Sequence, residues 1–164
     1  MELTFDISSE GWNQLENPEH LVRVAAGAAF EADGFDAADI ELSVVLADDE
    51  FVADLNQRWR GKQGATNVLS FPVGEQIAHG QNEPQFIGDI VLASGVVIRQ
   101  AGDAGKPLAT HLSHLVVHGV LHLLGYDHQD DESAGRMQAV ETAAMELLSL
   151  PDPYLEHEET AIAG

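Results

Sequence analysis

Apolar and polar residues alternate from the start of the chain. Leu3, Phe5 and Ile7 stand against Glu2, Thr4 and Asp6, which predicts a first strand. Ser8 to Asn17 reads as a polar connection that carries Trp12. The period then lengthens to that of a helix. Pro18 suits a first helical turn, and Leu21, Val22, Ala25, Ala28 and Ala29 make an apolar stripe that stops before Gly34. Ile40, Leu42, Val44 and Leu46 alternate again, as a second strand. Asp48 is placed as the N-cap of a short helix running to about Arg58, with Phe51, Val52, Leu55 and Trp59 on its apolar side. Gly61 to Thr66 is a loop, and Val68 to Phe71 a short third strand stopped by Pro72. Residues 74–85 are polar, with Gly, Asn and Pro, and predict a loop able to cover a site. Phe86 to Ala93 is almost wholly apolar after Asp89, as a central strand would be. Val96 to Ala104 predicts a helix ended by Gly105. Pro107 opens the next, which runs to about Leu124 with Gly125 as its C′ residue. Asp131 or Ser133 starts the last helix, with Met137, Val140, Ala144, Leu147 and Leu148 on one side. Pro151 and Pro153 close it, and residues 151–164 read as a frayed acidic tail.

This order, with no repeats and no low-complexity linker, predicts one α+β domain over residues 1–150. Its form is a small mixed four-stranded sheet packed with about five helices. A chain of 164 residues with 45% apolar content can bury such a core. Cysteine is absent, which removes disulfides and thiolate metal sites and fits a reducing compartment. No basic leader precedes an apolar run at the N-terminus. The longest apolar stretches, such as Leu115 to Leu124, are interrupted by histidine, so a soluble cytoplasmic protein with no membrane partner is expected.

Charge changes the picture more. The net charge is −21, with only seven Lys and Arg. A nucleic-acid binder normally shows a basic face, because phosphate neutralisation supplies much of the affinity. Here Arg58, Arg60 and Lys62 fall within five residues of one another. Contact with an anionic substrate is therefore local, or is helped by a basic partner. Elsewhere the acidic surface confers solubility.

The densest chemistry lies in His118-Gly119-Val120-Leu121-His122-Leu123-Leu124-Gly125-Tyr126-Asp127-His128. His118 and His122, four apart on a helix, point to one side. Gly125 then lets the chain turn back, because glycine takes positive φ without steric cost, and His128 can return towards the first two rings. The pattern is a metal tripod placed at the end of a central helix. Three nitrogen ligands and an open fourth position favour catalytic zinc, one per chain, which lowers the pKa of a water to about 7; nickel or another divalent ion remains open. The spacing matches that of the metzincin zinc peptidases, but Gly119 stands where those enzymes carry a glutamate base. Asp127 is the nearest carboxylate in sequence, and it serves as a base, orients a histidine or simply forms the turn. His114, one turn before His118, is open to a supporting, substrate-facing or purely structural reading.

At this point the chain resembles a known family. HGVLHLLGYDH is similar to the signature of the YbeY family, bacterial endoribonucleases of ribosomal RNA maturation. Leu55-Asn56 with Arg60, the run Thr66-Asn67-Val68-Leu69-Ser70-Phe71-Pro72, and Gly88-Asp89-Ile90 resemble its other marked segments, and the likeness covers roughly residues 40–148. The resemblance implies a metal-dependent, single-strand-specific endoribonuclease in 16S rRNA 3′-end maturation and ribosome quality control. It implies zinc ligation by His118, His122 and His128 and a functional arginine at Arg60. A guanidinium at Arg60 suits phosphate binding, and Arg58, Lys62 and His114 are candidate substrate contacts. Ribosomal proteins or the small subunit are the expected partners. Two other readings compete: a metzincin-like zinc peptidase, which Gly119 disfavours, and a non-enzymatic ribosome-assembly factor with a structural metal.

Overall fold

The computed structural model, which describes residues 1–73 and 84–154, turns the alternating stretches into four strands. They are β1 (Glu2–Ile7), β2 (Ile40–Ala47), β3 (Val68–Pro72) and β4 (Gln85–Ala93). Five helices accompany them: α1 (Pro18–Asp33), α2 (Asp49–Arg60), α3 (Ser94–Asp103), α4 (Leu108–Leu123) and α5 (Asp131–Leu147). The sheet order is β1-β2-β4-β3, with β1 and β4 parallel to β2 and β3 antiparallel to β4. The fold is thus one α+β domain with a mixed four-stranded sheet, and β4 is internal, as its continuous apolar run implies.

Period-two alternation divides the interior into two cores. Leu42, Val44, Leu46, Ile90 and Leu92 face α1, α4 and α5. Val45, Ala47, Val91, Ala93 and Leu69 face the other way, against Val52 and Leu55 of α2. Pro72 ends β3 on the sheet edge, where its missing N–H leaves no ladder bond unmade. Gly88 sits at a bulge where the β2–β4 register slips, with φ +148°. A Cβ there would lie 2.4 Å from the Phe71 carbonyl oxygen, so only glycine fits.

Local signals mostly act as expected. The Asp48 carboxylate accepts from the Phe51 N–H at 2.8 Å and caps α2. The start of α5 is Asp131, capped by Asp130, whose side chain accepts from the Ser133 N–H at 2.7 Å. Four places differ from the sequence reading. The connection Ser8 to Asn17 contains a 3-10 helix, Glu10–Gln14, and its Trp12 is fully buried, its indole N–H donating to the Ala47 carbonyl at 2.9 Å. Helix α3 begins at Ser94, two residues before Val96, because Asp49 caps it from α2 by accepting the Val96 N–H at 3.1 Å. Of the loop over residues 74–85, Gln85 already belongs to β4, and 74–83 lie outside the described residues, as does any covering role for them. Within the acidic tail expected over 151–164, Pro153 is buried and Tyr154 packs on the domain, so those positions are not frayed; 155–164 lie outside the described residues. Among the described residues no helix is long and apolar enough to cross a membrane.

Candidate metal centre

Helix α4 ends in a Schellman motif. The Gly125 N–H donates to the His122 carbonyl at 3.0 Å and the Tyr126 N–H to the Leu121 carbonyl at 3.0 Å. Gly125 has φ +101°, as the motif's C′ residue requires. Two further bonds fix the loop that follows. The Tyr126 hydroxyl donates to Asp33 at the end of α1, at 2.6 Å. That acceptor, with burial and the Asp33 charge, pushes the phenol up to about 12. The His128 N–H donates to the Asp127 carboxylate at 2.6 Å. His128 is thereby returned to the end of α4. One ring nitrogen from each of His118, His122 and His128 lies within 4.8 Å of the others.

Hydrogen bonds decide which nitrogens are free. A carbonyl can only accept, so the 2.9 Å contact between His122 Nδ1 and the Tyr126 carbonyl makes Nδ1 the protonated nitrogen. His118 Nδ1 lies 2.5 Å from a carboxylate oxygen of Glu141 and donates to it. Both Nε2 atoms then carry lone pairs, and they face one another at 3.0 Å. Two lone pairs at that distance repel unless a cation lies between them. Nitrogens bound to one tetrahedral zinc at about 2.0–2.1 Å stand about 3.3 Å apart, close to the 3.0 Å observed. The donor set therefore fits a divalent metal ion. Burial, then the neighbouring His118, lowers the His122 imidazole pKa against the opposing pull of the Tyr126 carbonyl, which keeps the ring neutral as a ligand must be.

Glu141 is fully buried on α5. Its second oxygen accepts from the Tyr154 hydroxyl, and His114 Nε2 stands 3.4 Å from the first, outside hydrogen-bond geometry. Burial pushes the Glu141 carboxyl up, but His114, His118 and Tyr154 together outweigh it and hold the group down at about 2. Tyr154 is pushed far up, by burial first and then by Glu141.

The three histidines open onto a cleft of about 430 Å³ that is also lined by Arg60, Asn67, Val68, Ser70 and Pro72. Arg60, in the last turn of α2, thus shares a cleft with the tripod although 58 residues separate it from His118. Asn56 holds the turn that follows Arg60, donating from Nδ2 to the Gly64 carbonyl at 2.8 Å. Arg58 and Lys62 are exposed and do not line the cleft, and Arg58 pairs with Asp54 at 3.3 Å. Asp127 is exposed, faces the Tyr126 side of the loop, and keeps 3.9 Å from His128 Nδ1. His114 turns its Nε2 to Glu141 and its ring to a second cavity of about 530 Å³, which shares Asn67, Val68 and His118 with the cleft. Gly119 is buried against the sheet, where a Cβ would lie 3.0 Å from Ile90 Cγ2 and 3.2 Å from Ser70 Oγ. Its carbonyl accepts from the Ser70 hydroxyl at 3.4 Å. The position that carries the base in metzincins thus faces the sheet here and not the ligands.

Glu141 and Tyr154 are the partners that sequence reasoning missed. One signal was present. Glu141 falls four residues after Met137 and three before Ala144, on the apolar stripe of α5, where a carboxylate is out of place unless it has buried partners. Tyr154 carried no such signal.

Comparison with known proteins shows the family and the fold. Residues 7–149 match the model of the family described as Endoribonuclease YbeY. The chain is 46% identical over 160 residues to an endoribonuclease YbeY of Paramagnetospirillum magneticum, covering 95% of this chain and 97% of that one. It is 43% identical over 148 residues to the one of Rhodopseudomonas palustris, covering 90% and 78%. A solution structure from Thermotoga maritima shares the fold, with a TM-score of 0.55 over 92% of this chain and 94% of that chain at 24% identity. The chain belongs to the endoribonuclease YbeY family.

Proposed function

We propose that this chain is a zinc-dependent, single-strand-specific endoribonuclease acting in 16S rRNA 3′-end maturation and ribosome quality control. The observation that carries the reading is the convergence of two outward lone pairs and a third imidazole on a cleft that Arg60 also lines. His118, His122 and His128 hold one zinc per chain. When bound, the ion supplies Lewis acidity and an activated water to the phosphodiester. The Arg60 guanidinium grips the phosphate through paired hydrogen bonds and offsets charge that builds in the transition state. Arg58 and Lys62, exposed at the same helix end, add attraction for flanking phosphates. Asp127 acts by holding the turn that presents His128.

Single-strand specificity is supported by the adjoining cavity of about 530 Å³, which is large enough for an unstacked base and reaches His114 and Tyr154. A net charge of −21 supports a setting in which basic ribosomal proteins of the small subunit, in the cytoplasm, bring the RNA to the site. The test compares cleavage of a single-stranded RNA by wild type, Arg60→Ala and metal-depleted protein, with a His118→Ala preparation exposing any contaminating nuclease. Wild type alone should cleave at full rate. Full activity in the metal-depleted sample overturns the reading. Product ends assign the nucleophile: a cyclic phosphate marks the RNA 2′-hydroxyl, and a 5′-phosphate with a 3′-hydroxyl marks water.

A further inference from the structure

Glu141 has no place in the reading above, yet it is the most deeply buried carboxylate of the site. Its described partners are imidazoles and a phenol, not a lysine or arginine. Its geometry is that of an orienting group. Oε1 accepts a hydrogen bond from His118 Nδ1–H at 2.5 Å, and Oε2 accepts one from the Tyr154 hydroxyl. His118 is thereby locked in the tautomer that presents Nε2, and its ring is held edge-on to His122, with centroids 4.5 Å apart. Tyr154 in turn packs edge-on against His114 at 5.8 Å. His122 is oriented differently, by a neutral backbone carbonyl. Of these two ligands, His118 is therefore the one whose basicity a side chain can tune.

We propose that Glu141 and Tyr154 are positioning residues: a phenol–carboxylate–imidazole chain that orients His118 and sets the affinity of the three-histidine site for its metal. This rests on the reading of that site as a metal centre. A carboxylate accepting from the far nitrogen of a ligating imidazole fixes the ring and raises its donor strength, and removing such a partner typically weakens metal binding about 10- to 100-fold. Tyr154 acts one bond further out. It holds the carboxylate rotamer and stops Oε2 from seeking water through the neighbouring cavity, whose wall it forms.

The test uses the full chain and zinc alone. Zinc affinity is measured by competition with a chromophoric chelator for wild type, Glu141→Gln, Glu141→Ala and Tyr154→Phe. The thermal midpoint of each metal-free protein is recorded beside it. Glu141→Gln keeps the shape and an acceptor for His118 but loses the charge, so zinc affinity should fall by about tenfold or more in a chain that still folds. Tyr154→Phe should lose less, about fivefold. Long-range ¹H–¹⁵N spectra of the metal-free proteins should show His118 protonated at Nδ1 in wild type and a mixture of tautomers in Glu141→Ala. Should Glu141→Ala or Glu141→Gln fail to fold, Tyr154→Phe decides by itself. Wild-type zinc uptake with unchanged affinity in Glu141→Gln, or in Tyr154→Phe where that variant decides, overturns this inference alone. A wild-type chain that takes up no zinc overturns the metal reading and this inference together.

Discussion

At the scale of single residues, the two glycines of the signature do opposite things. Gly125 is glycine because the backbone needs positive φ; nothing lies within 4 Å of where its Cβ would be. Gly119 is glycine because α4 lies close against the sheet, with Ile90 and Ser70 in the way of any side chain. That contact explains why the metzincin glutamate has no counterpart here: a carboxylate at 119 would be driven into the interface between α4 and β4. Gly119→Glu is therefore expected to lower the stability of the metal-free protein by about 3 kcal/mol or more, through overpacking and a buried unpaired charge. It should confer no peptidase activity. Urea unfolding checks the first point. A variant as stable as wild type would mean that α4 does not sit against the sheet as described.

At the scale of elements, α4 carries the site and the elements around it set its geometry. Its C-terminal turn can be probed by comparing two glycine substitutions. Gly125→Ala meets only backbone strain and should cost about 1–2 kcal/mol. Gly88→Ala adds a clash with the Phe71 carbonyl and should cost more, about 3 kcal/mol. Zinc affinity should respond in the opposite order, because Gly125 leads directly to the Tyr126 carbonyl and to His128, whereas Gly88 does not. Unfolding midpoints and chelator competition on the same pair of variants test both rankings.

The first turn of α4 makes a separate prediction. Burial, then the charges of His114 and Lys106, pushes His111 down to about 4. Unfolded histidine takes its proton near pH 6.5. Between those values the unfolded chain holds more protons, so stability is full above pH 6.5 and is lost as pH falls towards 4. His111 donates to the Gln100 side-chain oxygen at 3.0 Å, a bond that glutamine can keep. His111→Gln should thus flatten the fall in the metal-free urea midpoint between pH 7 and 4.5. An unchanged slope would mean that other groups, His122 among them, carry the whole effect.

At the scale of the molecule, what the sequence disclosed follows the range of each interaction. The tripod was legible because its three histidines span eleven residues, and one helix with one turn brings them together. The strands were legible because each has a two-sided environment that writes a period of two. Trp12 was not legible as core, because the bond that buries it reaches 35 residues away to Ala47. Glu141 lies 23 residues from His118, on a different helix, and Tyr154 was assigned to a tail because two prolines precede it. Tertiary packing alone brings these groups to the three-histidine cluster.

Charge is the property that only the whole molecule has, and it bears on how RNA is met. Arg23, Arg58, Arg99 and Arg136 face carboxylates at 3.0–3.7 Å. Arg58, Arg60 and Lys62 at the end of α2, with Lys106 on the wall of the adjoining cavity, are the cations placed to meet an RNA strand. Single-stranded nucleic acid contributes a slope of about −0.7 in log K against log salt for each phosphate neutralised. Binding of this chain to bare single-stranded RNA should accordingly show a slope no steeper than about −3. Repulsion from the remaining acidic surface should flatten it further as salt falls. Fluorescence anisotropy across a salt series, with the metal-loaded chain and a short labelled RNA, measures this directly. Added basic ribosomal protein should raise the affinity and steepen the slope, because the partner then supplies the phosphate contacts. A steep slope for the chain alone would instead require a basic surface that the described residues do not form, and it would remove the reason for a partner that presents the RNA.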